Sequence, residues 1–327
     1  MLSKFRLAVF VRGAFGNLMN NDEILNLKQM AKAKDSFALF KLGIYEFNSD
    51  NFKDAKECFS QFFQIVGITN SQIDELVITH FQLTTQLVDL ASEEEFFYIA
   101  HFYHEQENDL DSAKFWYQLA IALGNAAAAF NLAIIYQNEE KLNLAKKFYS
   151  TGQHLGERDA YFNHAEIEYR EGNKEVAINL LKSGADLGCP QSLNKLGQIS
   201  KSNGDLKSAV EWFKKAANDD YADSIVELGA ILFEKGKYEE AEKMFLRAVD
   251  LKSVWAMTYL GWTHAQLGDR MKSRGWYLMA AENGDTDGMM ELGLLSLEDG
   301  NREAALRWIK QAELLGNERA REKLQSF

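Results

Sequence analysis

The strongest constraint on this chain is a motif that returns every 32 residues. Residues 196–217 read LGQISKSNGDLKSAVEWFKKAA, and copies begin at Leu228, Leu260 and Leu292. Each copy holds an apolar helical run, a Gly-polar break and a second helical run. A 32-residue period with a break at its middle predicts one helix–turn–helix per copy. A unit of that size cannot bury its own apolar face, so successive copies must stack and share a core. A scaffold that binds something follows from this reading, and a single globular pocket enzyme does not.

Two glycine grids punctuate the repeat. Gly124, Gly156, Gly188, Gly284 and Gly316 close the copies, with Asp220 and Lys252 at the two missing places. Gly172, Gly204, Gly236, Gly268 and Gly300 fall where each first helix ends, where glycine accepts the left-handed conformation. Asn173, Asp205, Asp269 or Asn301 comes next, and each is a good N-cap for a second helix. Pro190, the one proline, falls in the first turn of a helix, where its missing N–H costs little. Small residues return at Gly197, Gly229, Gly261 and Gly293. Glycine inside a helix costs ~1 kcal/mol relative to alanine, so its return suggests that two helix backbones meet there. Trp116, Phe148, Leu180, Trp212, Met244, Trp276 and Trp308 form a bulky column whose tryptophans read as core packing.

In chain order, residues 1–33 read as two capping helices, one over 1–20 and one over 22–34. Residues 34–67 form a first helix-pair repeat, with a break at Ser49 and Asn51. Residues 68–92 do not fit the repeat; helical spacing over 70–92 predicts one extra helix, either an insertion or the seam between two subarrays. Residues 93–316 hold seven repeats without gaps, and 317–327 a polar C-terminal capping helix.

The net charge of -12 makes nucleic acid or an anionic membrane a poor partner and a basic peptide or protein surface a better one. Two cysteines, Cys58 and Cys189, make no disulfide framework, so free thiols in a reducing cytoplasm are expected. The N-terminal apolar run is short and interrupted by Arg12, which reads as an amphipathic helix and not an export signal. No stretch approaches the ~18 apolar residues that span a membrane. The oligomeric state is not legible.

A first-helix Leu-Gly, a helix end at Gly, then A-x-x-W-[FY]-x-x-A and a closing Gly resemble the Sel1-like repeat, a relative of the tetratricopeptide repeat. The copies from Leu196, Leu260 and Leu292 carry the pattern most clearly. The resemblance covers 93–316 well and 37–67 fairly. It implies an all-α, right-handed solenoid of stacked antiparallel helix pairs whose first helices line a concave groove. It also implies an adaptor or scaffold that binds a protein or peptide there. Groove-facing positions in such proteins lie three residues before, one after and four after the small residue of the first helix. Here they point to Phe97, Phe130, Ile134, Phe162, Tyr169, Gln198, Lys201, Phe233, Trp262 and Met290, and a position six before adds Trp255. Phe97, Phe130, Phe162 and Tyr169 would form an aromatic ridge, and Trp255 with Trp262 a second patch, since aromatics commonly anchor interfaces.

The sequence has no phosphate-cradling loop, no HExxH, no paired CxxC and no nucleophile elbow. No enzyme activity and no cofactor are expected. His101 and His104 lie one helical turn apart beside Glu105, which keeps open a metal-dependent protein or enzyme as an alternative. A second alternative is a chaperone or immunity-type inhibitor that caps one effector. His164 stands at a core leucine position and reads as a buried, hydrogen-bonded histidine.

Overall fold

The computed structural model describes residues 21–49, 51–66 and 92–325. The expected helix over 1–20, and the one over 70–92 but for its last residue, lie outside the described residues. Eighteen helices are present among those described, and no strand. They are α1 (Asn21–Lys32), α2 (Ser36–Asn48), α3 (Phe52–Val66), α4 (Glu93–Glu105), α5 (Leu110–Ala122), α6 (Ala126–Asn138), α7 (Leu142–His154), α8 (Asp159–Arg170) and α9 (Lys174–Asp186). Then follow α10 (Pro190–Ser202), α11 (Leu206–Asn218), α12 (Ala222–Glu234), α13 (Tyr238–Asp250), α14 (Val254–Gln266), α15 (Arg270–Glu282), α16 (Thr286–Glu298), α17 (Arg302–Leu314) and α18 (Glu318–Gln325). The chain divides into two compact units, 1–167 and 168–327.

The punctuation works as local chemistry requires. All ten grid glycines have positive φ, from 72° at Gly236 to 97° at Gly156. Asp220 and Lys252, in the missing places, adopt the same conformation at 54° and 70°. There a Cβ comes too close to the following carbonyl oxygen, so these two helix ends hold a small strain that glycine avoids. Asp205, Asp269 and Asn301 accept hydrogen bonds from the backbone N–H three residues on. Asn173 does not cap; its Nδ2 donates to Glu168 Oε2 at 2.7 Å instead. Pro190 occupies the first turn of α10 as expected.

In the N-terminal unit one continuous core runs from Ala31 to Ile167. Its centre is aromatic: Phe40 stacks on Trp116 at 5.2 Å, Phe59 meets Trp116 edge-on at 4.6 Å, and Phe40 contacts Phe96 at 6.1 Å. Thus the pair α2/α3 packs directly on the pair α4/α5, although many residues lie between them in sequence. Asn48 Nδ2 also donates to Glu95 Oε1 at 3.0 Å across this junction. Glu95 closes a capping box with Ser92 at the start of α4, the arrangement that satisfies two orphan N–H groups at once.

In the C-terminal unit smaller clusters each tie one helix pair to the next. Phe213 joins Ala209 and Ile231; Phe245 joins Ile225, Ala256 and Leu260; Tyr277 joins Met289, Met290 and Ile309. Second helices pack on the following first helix, and first helices α12, α14 and α16 touch in turn. Each element therefore contacts only its neighbours, as a solenoid requires.

The Leu-Gly glycines have a different cause from the one their recurrence suggests. The atoms nearest to a Cβ added at Gly197 belong to the ring of Phe213, with Cε1 at 2.5 Å. Gly229 faces Phe245 in the same way, Gly261 faces Tyr277, and Gly43 faces Phe59. At Gly293 the nearest atoms are the Ile309 side chain and then the Ala305 carbonyl oxygen at 3.4 Å. The glycine makes room for a bulky buried side chain sixteen residues later. The tryptophan column is buried at Trp116 and Phe148 but only half-buried at Trp212, Met244, Trp276 and Trp308. The residue after the tryptophan fills the core in the C-terminal unit, because Phe213, Phe245, Tyr277 and Ile309 are the side chains aimed at the small first-helix residue.

Candidate functional site

In the C-terminal unit the first helices α10, α12 and α14, with Ser253 just before α14, line a half-open pocket of about 440 Å³. Gln198 of α10 borders it, Val226 and Ala230 of α12 are buried beneath it, and Trp255 and Tyr259 of α14 form a wall. Asp223 and Glu227 bring two carboxylates to its lining. On α12 the residues 223, 226, 227 and 230 share one face because they are three and four apart.

Trp255 is 68 % exposed, whereas a large aromatic ring normally loses most of its surface on folding. Tyr259 is held firmly: it stacks on Phe245 at 4.9 Å and meets Trp262 edge-on at 5.0 Å. Burial pushes the Tyr259 phenol up, and the Glu227 carboxylate adds to it. Glu234 and Asp287 act on the phenol in the same direction. Lys201 Nζ donates to Glu227 Oε2 at 3.1 Å. Burial lowers the Lys201 pKa, but the bond and charge of Glu227 outweigh it, so the ammonium stays charged.

Four residues expected in a groove thus meet here: Gln198 and Trp255 line the pocket, Lys201 joins it through Glu227, and Trp262 through Tyr259. Phe233 lies at the far end of α12, half-buried against Tyr238 at 5.3 Å. Tyr169 is exposed between the ammonium groups of Lys174 and Lys195, at 5.8 and 5.6 Å from its ring.

Met290 differs from expectation. It is 3 % exposed and belongs to the core with Tyr277 and Met289, so it offers no surface to a ligand. Its column turns inward throughout the C-terminal unit: Asn194, Val226 and Thr258 are buried as well. The following repeat covers it. Ser224 Oγ donates to Asn194 Oδ1 at 2.8 Å, and Thr258 Oγ1 to Asp285 Oδ1 at 3.0 Å.

In the N-terminal unit the same column is half-buried at Phe97, Phe130 and Phe162. Phe97 packs on Tyr117 at 5.9 Å and Phe130 on Tyr149 at 5.9 Å, so these rings serve the core with one side. Ile134 packs against the same core. His101 lies flat on Phe97, and burial lowers its pKa; His104 Nδ1 sits 3.4 Å from the Tyr117 hydroxyl. Among the described residues no three His, Cys, Asp or Glu side chains converge as a metal site would need. His164 is half-buried and meets Gln153 Nε2 at 3.2 Å.

The residues missed in sequence are Asp223, Glu227 and Tyr259. Asp223 stands six before Gly229, the offset that singled out Trp255. Glu227 and Tyr259 stand two before their glycines, a position four residues on and hence on the same helix face. The offset of two was the available signal.

The repeats match two families in comparison with known proteins. The Sel1 repeat model matches residues 98–125, 155–189, 256–285 and 286–317. The Tetratricopeptide repeat model matches 190–218 and 222–254. Together these stretches take in more than half of the chain. The chain is a Sel1-like, tetratricopeptide-like repeat protein. Among solved structures, this Sel1-like chain resembles a protective antigen of uropathogenic Escherichia coli strains that displays an SLR fold. That likeness has 20% identity and a TM-score of 0.57 over 94% of this chain and 67% of that one. A Sel1 repeat protein from Oxalobacter formigenes matches at 21% identity and a TM-score of 0.54, over 68% of this chain and 100% of its own. These likenesses establish an all-α solenoid of paired helices. No curated protein matches the sequence. Repeats of these two families generally serve protein–protein interaction. Among the described residues no helix is long and apolar enough to cross a membrane.

Proposed function

We propose that this repeat protein is a non-enzymatic adaptor that holds a segment of a partner protein along its first helices, at the pocket between α10, α12 and α14. The observation that carries this reading is Trp255. It projects from a first helix beside a pocket of about 440 Å³, and it is the most exposed aromatic among the large exposed side chains. An exposed ring beside a pre-formed hollow suits an anchor from a partner chain. Rigidity helps, because a face held by neighbouring repeats loses little ordering entropy on binding. Phe97, Phe130, Ile134 and Phe162 extend the reading to the N-terminal unit, where each leaves part of its surface open. Cys58 and Cys189 form no disulfide, which suits a reducing, cytoplasmic setting.

Affinity purification with mass spectrometry tests the reading on three proteins: wild type, Trp255→Ala, and Phe97/Phe130/Phe162→Ser. Partners lost from Trp255→Ala, with helix content unchanged by circular dichroism, are expected. An unchanged partner set in both variants overturns the assignment of the first-helix face.

A further inference from the structure

The chemistry of the pocket narrows what it can take. Its lining carries two carboxylates, Asp223 and Glu227, and Glu234 and Asp287 lie close enough to act on Tyr259. One cation, Lys201, answers Glu227. Asp223 is exposed and bonds the Tyr221 hydroxyl, which is neutral and leaves the carboxylate its charge. The pocket field is therefore negative, as is the whole chain at -12. An indole face beside carboxylates attracts a cation twice, through the ring quadrupole and through direct charge. Arginine suits this pair of groups better than lysine, because its planar guanidinium stacks on a ring and forks onto a carboxylate.

We propose that the pocket between α10, α12 and α14 takes an arginine side chain from a basic partner segment, seated on Trp255 with Asp223 and Glu227 as counter-charges. This rests on the groove reading above and adds the class of ligand. Lys201 then has a defined role: it competes with the incoming guanidinium for Glu227. An anionic or phosphorylated segment would meet the carboxylates and be repelled, and it would gain from Lys201. The sign of the Lys201 effect therefore separates the two.

A random peptide library is selected on the immobilised full chain, with Trp255→Ala as counter-selection. The winning peptides are then titrated against wild type, Asp223→Asn, Lys201→Met and Trp255→Ala. The expected consensus has a fixed arginine. Its replacement by citrulline, or Asp223→Asn, weakens binding about tenfold, a usual scale for a partly sheltered cation–π and ion-pair contact. Lys201→Met tightens it. All three substituted side chains are at least one-third exposed or lie at the pocket rim, so circular dichroism should show the same helix content in each. A consensus that needs Trp255 but has no basic position, or weaker binding with Lys201→Met, overturns the arginine assignment and leaves the groove reading standing. Selection of no peptide that depends on Trp255 overturns both.

Discussion

Gly197→Ala tests the packing rule of the repeat. An added Cβ would come 2.5 Å from Cε1, 2.6 Å from Cδ1 and 2.9 Å from Cζ of Phe213. Phe213 is fully buried in a cluster with Ala209 and Ile231, so its ring has little room to withdraw. Overpacking of this kind costs about 1–3 kcal/mol. Alanine regains about 1 kcal/mol of helix propensity. The net expectation is a loss of about 1 kcal/mol. Gly275 supplies the control: it lies in α15, is exposed, and has nothing within 4 Å of an added Cβ. There the propensity gain stands alone, so Gly275→Ala should stabilise by about 1 kcal/mol. Urea unfolding at constant m measures both. The double mutant Gly197→Ala/Phe213→Leu completes a cycle. A smaller, branched side chain should relieve the clash and give a coupling of about 1 kcal/mol or more. Equal stabilisation by both alanines would show open space at Gly197 and refute the ring account; a loss with no coupling to Phe213 would refute it too and restore the idea of two meeting backbones.

Three further outcomes are expected. Lys252→Gly should stabilise the protein by about 0.5–1 kcal/mol, because Lys252 sits at φ 70° where glycine is unstrained; Asp220→Gly should gain less, since it also loses the Arg247 ion pair. Both are read by urea unfolding, and a loss of stability at Lys252→Gly would contradict the helix-end assignment. Burial pushes the phenols of Tyr117, Tyr149 and Tyr221 up to about 12 from 10.0, and raises Tyr103 and Tyr277 as well. Their folded values exceed the unfolded one, so their contribution is whole below pH 10.0 and falls away as pH rises toward 12. Tyrosinate absorbance should therefore appear together with loss of helical circular dichroism; full ionisation near pH 10.0 in an intact helix array would contradict the burial. Finally, Trp255→Ala should change stability by no more than about 0.5 kcal/mol, because the ring is largely in solvent; a larger loss by thermal unfolding would place the ring in the core.

Much of the fold was legible because it is local. Positive φ at Gly204 or Gly300 and an N-cap at Asp205 or Asn301 depend on a few adjacent residues, and repetition at one spacing multiplied a weak signal. Local rules failed where a tertiary neighbour intervened. Asn173 has the right type for a cap, yet Glu168 takes its amide. The glycine column was visible, but its cause was a bulky side chain sixteen residues away, a ring at Gly197, Gly229 and Gly261 and Ile309 at Gly293. The candidate site was half legible. Trp255 and Gln198 lay at expected offsets, but Met290 did too and is buried, because the chain of the next repeat covers that column in the C-terminal unit.

By itself the sequence determined the repeat length, the two helices of each copy, their ends and their acid excess. These follow from propensity, periodicity and composition, which act along the chain. Only tertiary structure decided which columns face solvent. It seated α2/α3 on α4/α5 through Phe40 and Trp116, across a stretch the repeat pattern does not cover. It also brought Asp223, Glu227, Tyr259 and Trp255 to one hollow from two different repeats. Burial is set by the neighbouring helix, and a single repeat does not contain that neighbour.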